Sequence, residues 1–154
     1  MQLSPRQTSS LPFRQRHLNV ARILLADTDL ASRLTLKSLL LKAGYGVDSA
    51  ATASEAIGKL DANEYQLVLA DLRGESDDAG AGLLAYARQK EFRPATALII
   101  SHLSEMNMET GKSESPESVV RMTNENVSYL LASIAELIGH RADRRIRQSL
   151  RQAT

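Results

Sequence analysis

Short apolar runs alternate along this chain with stretches of helical periodicity. The clearest runs are Arg22-Ile-Leu-Leu-Ala-Asp27 and Tyr65-Gln-Leu-Val-Leu-Ala-Asp71, and each stops at a carboxylate. Runs this short and this continuously apolar suit strands buried on both faces of a parallel sheet. The pattern predicts strands over residues 22–26, 45–49, 66–70, 97–101 and 119–122. Between the first two, a helix is expected from about Leu30 to Lys42, with Asp29 as its N-cap and Gly44 ending it. Its core stripe is read as Leu30, Leu34 and Leu41, widened by Leu39 and Leu40. A second helix is expected after a Ser54 cap, through Ala56, Ile57 and Leu60. The Gly- and Asp-rich stretch 73–82 predicts a loop, and residues 83–91 a third helix.

Strand alternating with helix makes repeated βα units. The expected fold class is therefore α/β: a doubly wound five-stranded parallel sheet of flavodoxin-like order, (βα)5. Residues 102–118 interrupt the alternation. Only Leu103, Met106 and Met108 could pack there, which predicts a short, irregular fourth helix. A fifth helix is expected to begin near Asn126. Val127, Leu131, Ile134, Ile138, Ala142, Ile146 and Leu150 recur every three or four residues, which allows one helix of about 25 residues, roughly 37 Å long. Gly139 inside it costs about 1 kcal/mol of helix stability. The expected organisation is a flexible basic arm over 1–19, a domain over 20–138 and a basic C-terminal helical extension over 139–154.

A length of 154 residues, 43% hydrophobic and 24% charged, fits one ordinary globular domain. The absence of cysteine excludes disulfides, thiolate metal sites and cysteine nucleophiles. No apolar run approaches the ~20 residues of a membrane helix. Arg6, Arg14 and Arg16 precede no apolar segment, so a secretory signal is not read, and a cytoplasmic location is expected. The net charge of +1 hides an asymmetry. Residues 1–22 and 139–154 each carry +4, while 23–138 hold ten basic and seventeen acidic side chains, a net −7. Basic ends on an acidic body could be solvated tails or could meet an acidic partner. No Ser-His-Asp order, histidine cluster or Gly-rich phosphate loop is found, and no enzyme is expected. What remains is the acid pair. Asp27 and Asp71 at adjoining strand ends would make an acidic pocket where ligands of open α/β sheets bind, suited to a divalent cation and a phosphoryl group.

In order and spacing, several segments resemble the CheY-like receiver domain of bacterial response regulators, the phosphorylated partners of two-component systems. They are Ile23-Leu-Leu-Ala-Asp27, Leu39 with Gly44-Tyr45-Gly-Val47, Ala53-Ser-Glu-Ala-Ile57, Leu67-Val-Leu-Ala-Asp71, Leu98-Ile-Ile-Ser101 and Leu130-Leu-Ala-Ser-Ile134. The resemblance spans about residues 20–138. It implies that Asp71 accepts a phosphoryl group from a histidine kinase, that Asp27 and Asp71 hold Mg²⁺, and that Ser101 contacts phosphoryl oxygen. Phosphoryl transfer is mostly positioning and charge stabilisation, so the missing pieces matter.

Thr28 stands where the family has a second acid, which lowers the charge offered to Mg²⁺. Asp29 lies one residue further on. Thr123 stands where a lysine would pair with the phosphate, and Val120 where an aromatic switch residue would turn. His102 follows Ser101 in place of a small residue, and the loop after Asp71 lacks the usual proline and is one residue longer. The resemblance thus implies a single-domain signalling protein with a partly eroded phosphorylation site, an atypical or pseudo-receiver acting through protein–protein contact. Its partner would be a histidine kinase or another signalling protein, or a second copy through the C-terminal helix. The alternatives are a phosphorylation-independent scaffold or adaptor on the same fold and, less favoured, a small nucleic-acid-binding regulator using the basic ends. No membrane partner is expected.

Overall fold

The computed structural model describes residues 20–101, 118–122 and 127–153. Five strands, β1 (Arg22–Asp27), β2 (Gly46–Ala50), β3 (Leu67–Asp71), β4 (Ala95–Ser101) and β5 (Ser118–Met122), form one parallel sheet in the order β2-β1-β3-β4-β5. Four helices are described: α1 (Leu30–Lys42), α2 (Ala53–Ala62), α3 (Ala79–Arg88) and α4 (Val127–Ala153). The arm over 1–19, the irregular helix expected over 102–118 (apart from Ser118, which begins β5) and Thr123 lie outside the described residues.

The unbroken apolar runs follow from helices on both faces. Ile23, Leu25, Leu67 and Leu69 point to one side and pack with Leu36 and Leu40 of α1 and Leu130 and Ile134 of α4. Leu24, Ala26, Val68 and Ala70 point to the other and pack with Ala56 and Leu60 of α2 and Leu83 and Leu84 of α3. Each fully buried Leu or Ile contributes about 1.5–3 kcal/mol, so the central strands anchor both layers.

Three local expectations are corrected. The core stripe of α1 is Leu36 and Leu40 with Leu39 half-buried, while Leu30, Leu34 and Leu41 are exposed, Leu34 by 57%. Leucines surround this helix, so spacing alone fits two faces and the sheet selects one. The cap of α2 is Thr52, not Ser54. Its hydroxyl accepts from the Glu55 N–H at 3.1 Å, and Glu55 Oε1 accepts from the Ala51 N–H at 2.9 Å. Thr52-x-x-Glu55 is a capping-box pattern, and Ser54 falls inside its first turn.

Helix α3 begins at Ala79, inside the stretch read as loop. Its two glycines argue against a helix by propensity, but Gly80 lets α3 lie close on the sheet. A β-carbon there would meet Leu98 Cδ2 at 3.0 Å and Ala70 Cβ at 3.8 Å. Gly80→Val is expected to lower stability by about 1–2 kcal/mol through overpacking, measured by urea unfolding. An unchanged midpoint would mean that α3 can lift without cost.

The C-terminal periodicity forms one helix of 27 residues. It runs through Gly139 and carries half-buried Leu131, Leu137 and Ile138 against the sheet. No helix among the described residues is long and apolar enough to cross a membrane.

Candidate functional site

Strands β1 and β3 pair from Ile23↔Leu67 to Asp27↔Asp71. The two acids therefore end neighbouring strands in the same register, at the carboxyl edge of the sheet. The Thr28 N–H donates to the Asp71 carbonyl at 3.3 Å and holds the two ends together.

Asp27 is only 3% exposed. Its Oδ1 accepts from the Asp29 N–H at 2.9 Å, and its carbonyl accepts from the Arg33 guanidinium at 2.8 Å. Burial pushes its carboxyl up to about 6. The Asp29 N–H bond opposes that rise, the Asp71 and Asp29 charges add to it, and Arg33 pulls back last. Asp29 is used as a cap. Its Oδ2 accepts from the Ser32 N–H at 2.8 Å, and that bond holds its carboxyl below the ordinary range.

Asp71 is half-buried and already has a cation. Arg73 Nε donates to Oδ1 at 3.2 Å and its Nη2 to Oδ2 at 3.4 Å, a fork on both carboxylate oxygens. Sequence reasoning missed this residue. The available signal was an arginine two positions past the acid, close enough in sequence to fold back on it.

Thr28 is packed beneath the same loop. A β-carbon on Gly74 would lie 2.5 Å from Thr28 Oγ1 and 3.2 Å from its Cβ. Only glycine allows this approach. The loop is pinned further by the Glu75 N–H to the Leu72 carbonyl and by Glu75 Oε1 accepting from the Ala53 N–H, each 2.9 Å. A cavity of about 210 Å³ opens beside Asp71 and Arg73, over Ala70, Gly80 and Leu98.

Ser101 ends β4, the strand next to β3, with its backbone opposite Met122 of β5. Val120 pairs with Ile99.

The donor set does not fit a resident Mg²⁺ as it stands. The position of a third acid is Thr28, locked under Gly74. Asp29 is spent as a cap, and Arg73 holds both oxygens of Asp71. Among the described residues no three His, Asp or Glu side chains could hold a metal ion together. What the arrangement can do is keep two carboxylates side by side, one favouring its proton through burial and one paired internally.

No protein-family model and no curated protein matches the chain. Solved structures do. A response regulator receiver protein from Sinorhizobium medicae WSM419 is 22% identical, with 80% of this chain and 98% of that one covered and a TM-score of 0.65. A CheY-like response regulator receiver domain protein from Methanospirillum hungatei JF-1 is 25% identical over 82% and 99% of the two chains, with a TM-score of 0.66. NtrX from Brucella abortus, solved with ATP, is 18% identical with a TM-score of 0.73; 85% of this chain matches 30% of that longer one. With its five-stranded order and an aspartate at the end of the central strand, the chain has the receiver-domain fold of the CheY-like response regulators.

Proposed function

We propose that this chain is a receiver-fold signalling protein in which Asp71 is held quiet by its own arginine and output passes through protein–protein contact. The observation that carries this reading is the fork of Arg73 on both Asp71 oxygens. A carboxylate so paired is a poorer nucleophile than a free one, because its lone pairs and charge are already engaged. An incoming phosphoryl donor must displace Arg73, and any Mg²⁺ that would neutralise it lacks the second acid as a ligand. Ser101 remains the candidate to contact a phosphoryl oxygen and Asp27 the candidate to hold Mg²⁺ with Asp71, and Thr123 offers no cation in place of the lysine. Two exposed apolar stripes support contact with other proteins. One is Leu30, Leu34 and Leu41 on α1; the other is Ile146 and Leu150 on α4, Leu150 exposed by 63%. The first suits a signalling protein such as a kinase, the second a copy of this chain.

The test is intact mass after incubation with acetyl phosphate and Mg²⁺. The parent chain is expected to show no phosphoryl-sized gain. The double variant Thr28→Asp with Arg73→Ala restores an acid and frees Asp71, and is expected to gain one such mass. Adding Asp71→Asn is expected to remove it. Ready phosphorylation of the parent at Asp71 would overturn the reading and leave an ordinary receiver.

A further inference from the structure

Beyond the acid pair, the strongest charge cluster lies where α4 leaves the body of the domain. Arg93, Arg141, Arg144, Arg145, Arg147 and Arg151 line one cavity of about 210 Å³, joined by Gln148. The cavity forms because α4 docks on the turn between α3 and β4. Arg141, 9% exposed, donates from Nη2 to the Phe92 carbonyl at 2.7 Å and from Nε to the Arg93 carbonyl at 3.1 Å. Arg145 Nη1 donates to the same Phe92 carbonyl at 2.9 Å. Arg93 takes a left-handed φ of 43°, unusual for a residue with a side chain, and so closes the turn against the helix.

Among the described residues, the guanidinium charges of Arg93, Arg144 and Arg147 are not cancelled by a carboxylate. Arg141 and Arg145 spend hydrogen bonds on neutral carbonyls. Burial, then the charges of Arg145 and Arg144, hold the Arg141 proton less tightly than usual, and Glu64 opposes them least of all. Glu91 lines neighbouring clefts and not this cavity. Like charges crowded into a concavity repel one another, and an anion entering it relieves that repulsion.

We propose that this arginine-lined cavity binds a small oligophosphate anion, a short chain of phosphoryl groups gripped by several guanidinium forks. Guanidinium matches phosphate oxygens two at a time. The cavity equals about seven water volumes, room for a few linked phosphoryl groups. A long polyanion fits less well. It would run from the cavity onto a body whose residues 23–138 carry −7, or past exposed Ile146 and Leu150 on the same helix.

Calorimetric titration of the full chain with sodium tripolyphosphate at about 0.15 M salt tests this, with orthophosphate and a short DNA duplex as parallel arms. One-to-one saturable binding of tripolyphosphate is expected, weaker for orthophosphate. Arg144→Gln with Arg147→Gln, both at exposed positions, is expected to weaken it at least about tenfold with an unchanged thermal melt. Absence of saturable heat, equal affinity in the double variant, or tighter binding of the duplex would each overturn the proposal, the last by marking a nucleic-acid interface instead.

Discussion

Asp27→Asn is expected to stabilise the protein at neutral pH, against the usual result of changing a buried side chain. Asp27 titrates at about 6 in the folded state against 3.8 for an ordinary aspartate. Below 3.8 both states hold the proton and the group makes no difference to folding. Between 3.8 and 6 only the folded state keeps it, so stability falls as pH rises through that window. Above 6 the full cost of a buried carboxylate is present, about 3 kcal/mol at most from the size of the shift. Asparagine removes the charge and still offers a side-chain oxygen to the Asp29 N–H, now 2.9 Å away. Urea unfolding at pH 7.5 should therefore show the variant more stable, with a melting temperature higher by on the order of 5–10 °C. The difference between the two proteins should shrink toward pH 4. A gain that does not change between pH 4 and 7.5 would show that Asp27 is charged at no cost despite its burial.

The acid pair was legible in the sequence because a strand that stops at a carboxylate fixes both the strand and the edge to which it points. Two such runs, each ending on its acid, pair in one register, and Asp27↔Asp71 follows. The cap at Asp29 was legible for a similar reason, since a short acid before a helical period has one geometry available. The misses share a different cause. Periodicity names a face only when polar residues mark the other face, and α1 has leucine on both, so Leu30, Leu34 and Leu41 were read as core and Leu36 was passed over, while Leu40 was rightly included. Propensity read Gly80 as loop, but the gain from seating α3 close on Leu98 and Ala70 is tertiary and local spacing does not carry it. Arg73 was passed over because its role depends on how a Gly-rich loop folds back. That fold is set by Gly74 lying on Thr28, a contact between residues 46 positions apart. The substitution of Thr for an acid and the approach of Gly74 are thus one feature. A carboxylate at 28 needs the space and charge balance that the loop and Arg73 now take.

Arg141→Leu is expected to cost about 2–4 kcal/mol, an unusually large loss for replacing an arginine. In sequence, Arg141 begins a polar, arginine-rich stretch and reads as solvated. In the fold its guanidinium is buried and bridges the Phe92 and Arg93 carbonyls, tying the outer half of α4 to the turn before β4. Leucine fills part of the space but donates nothing. The Arg93 carbonyl then loses its guanidinium partner, and the Phe92 carbonyl keeps only Arg145. Charge-assisted bonds contribute more than neutral ones, and two part-buried ones are lost together. Beyond Arg141 the helix presents only exposed residues from 142 to 152, so little else holds that segment. The variant should therefore show a lower unfolding midpoint and, in hydrogen exchange, faster amide exchange confined first to the residues after 141. Arg147→Leu, on the same helix but exposed, should move the midpoint by less than about 0.5 kcal/mol. Equal effects of the two changes would mean that the extension is held by helix propensity alone, and that the bridge to Phe92 and Arg93 contributes nothing to the fold.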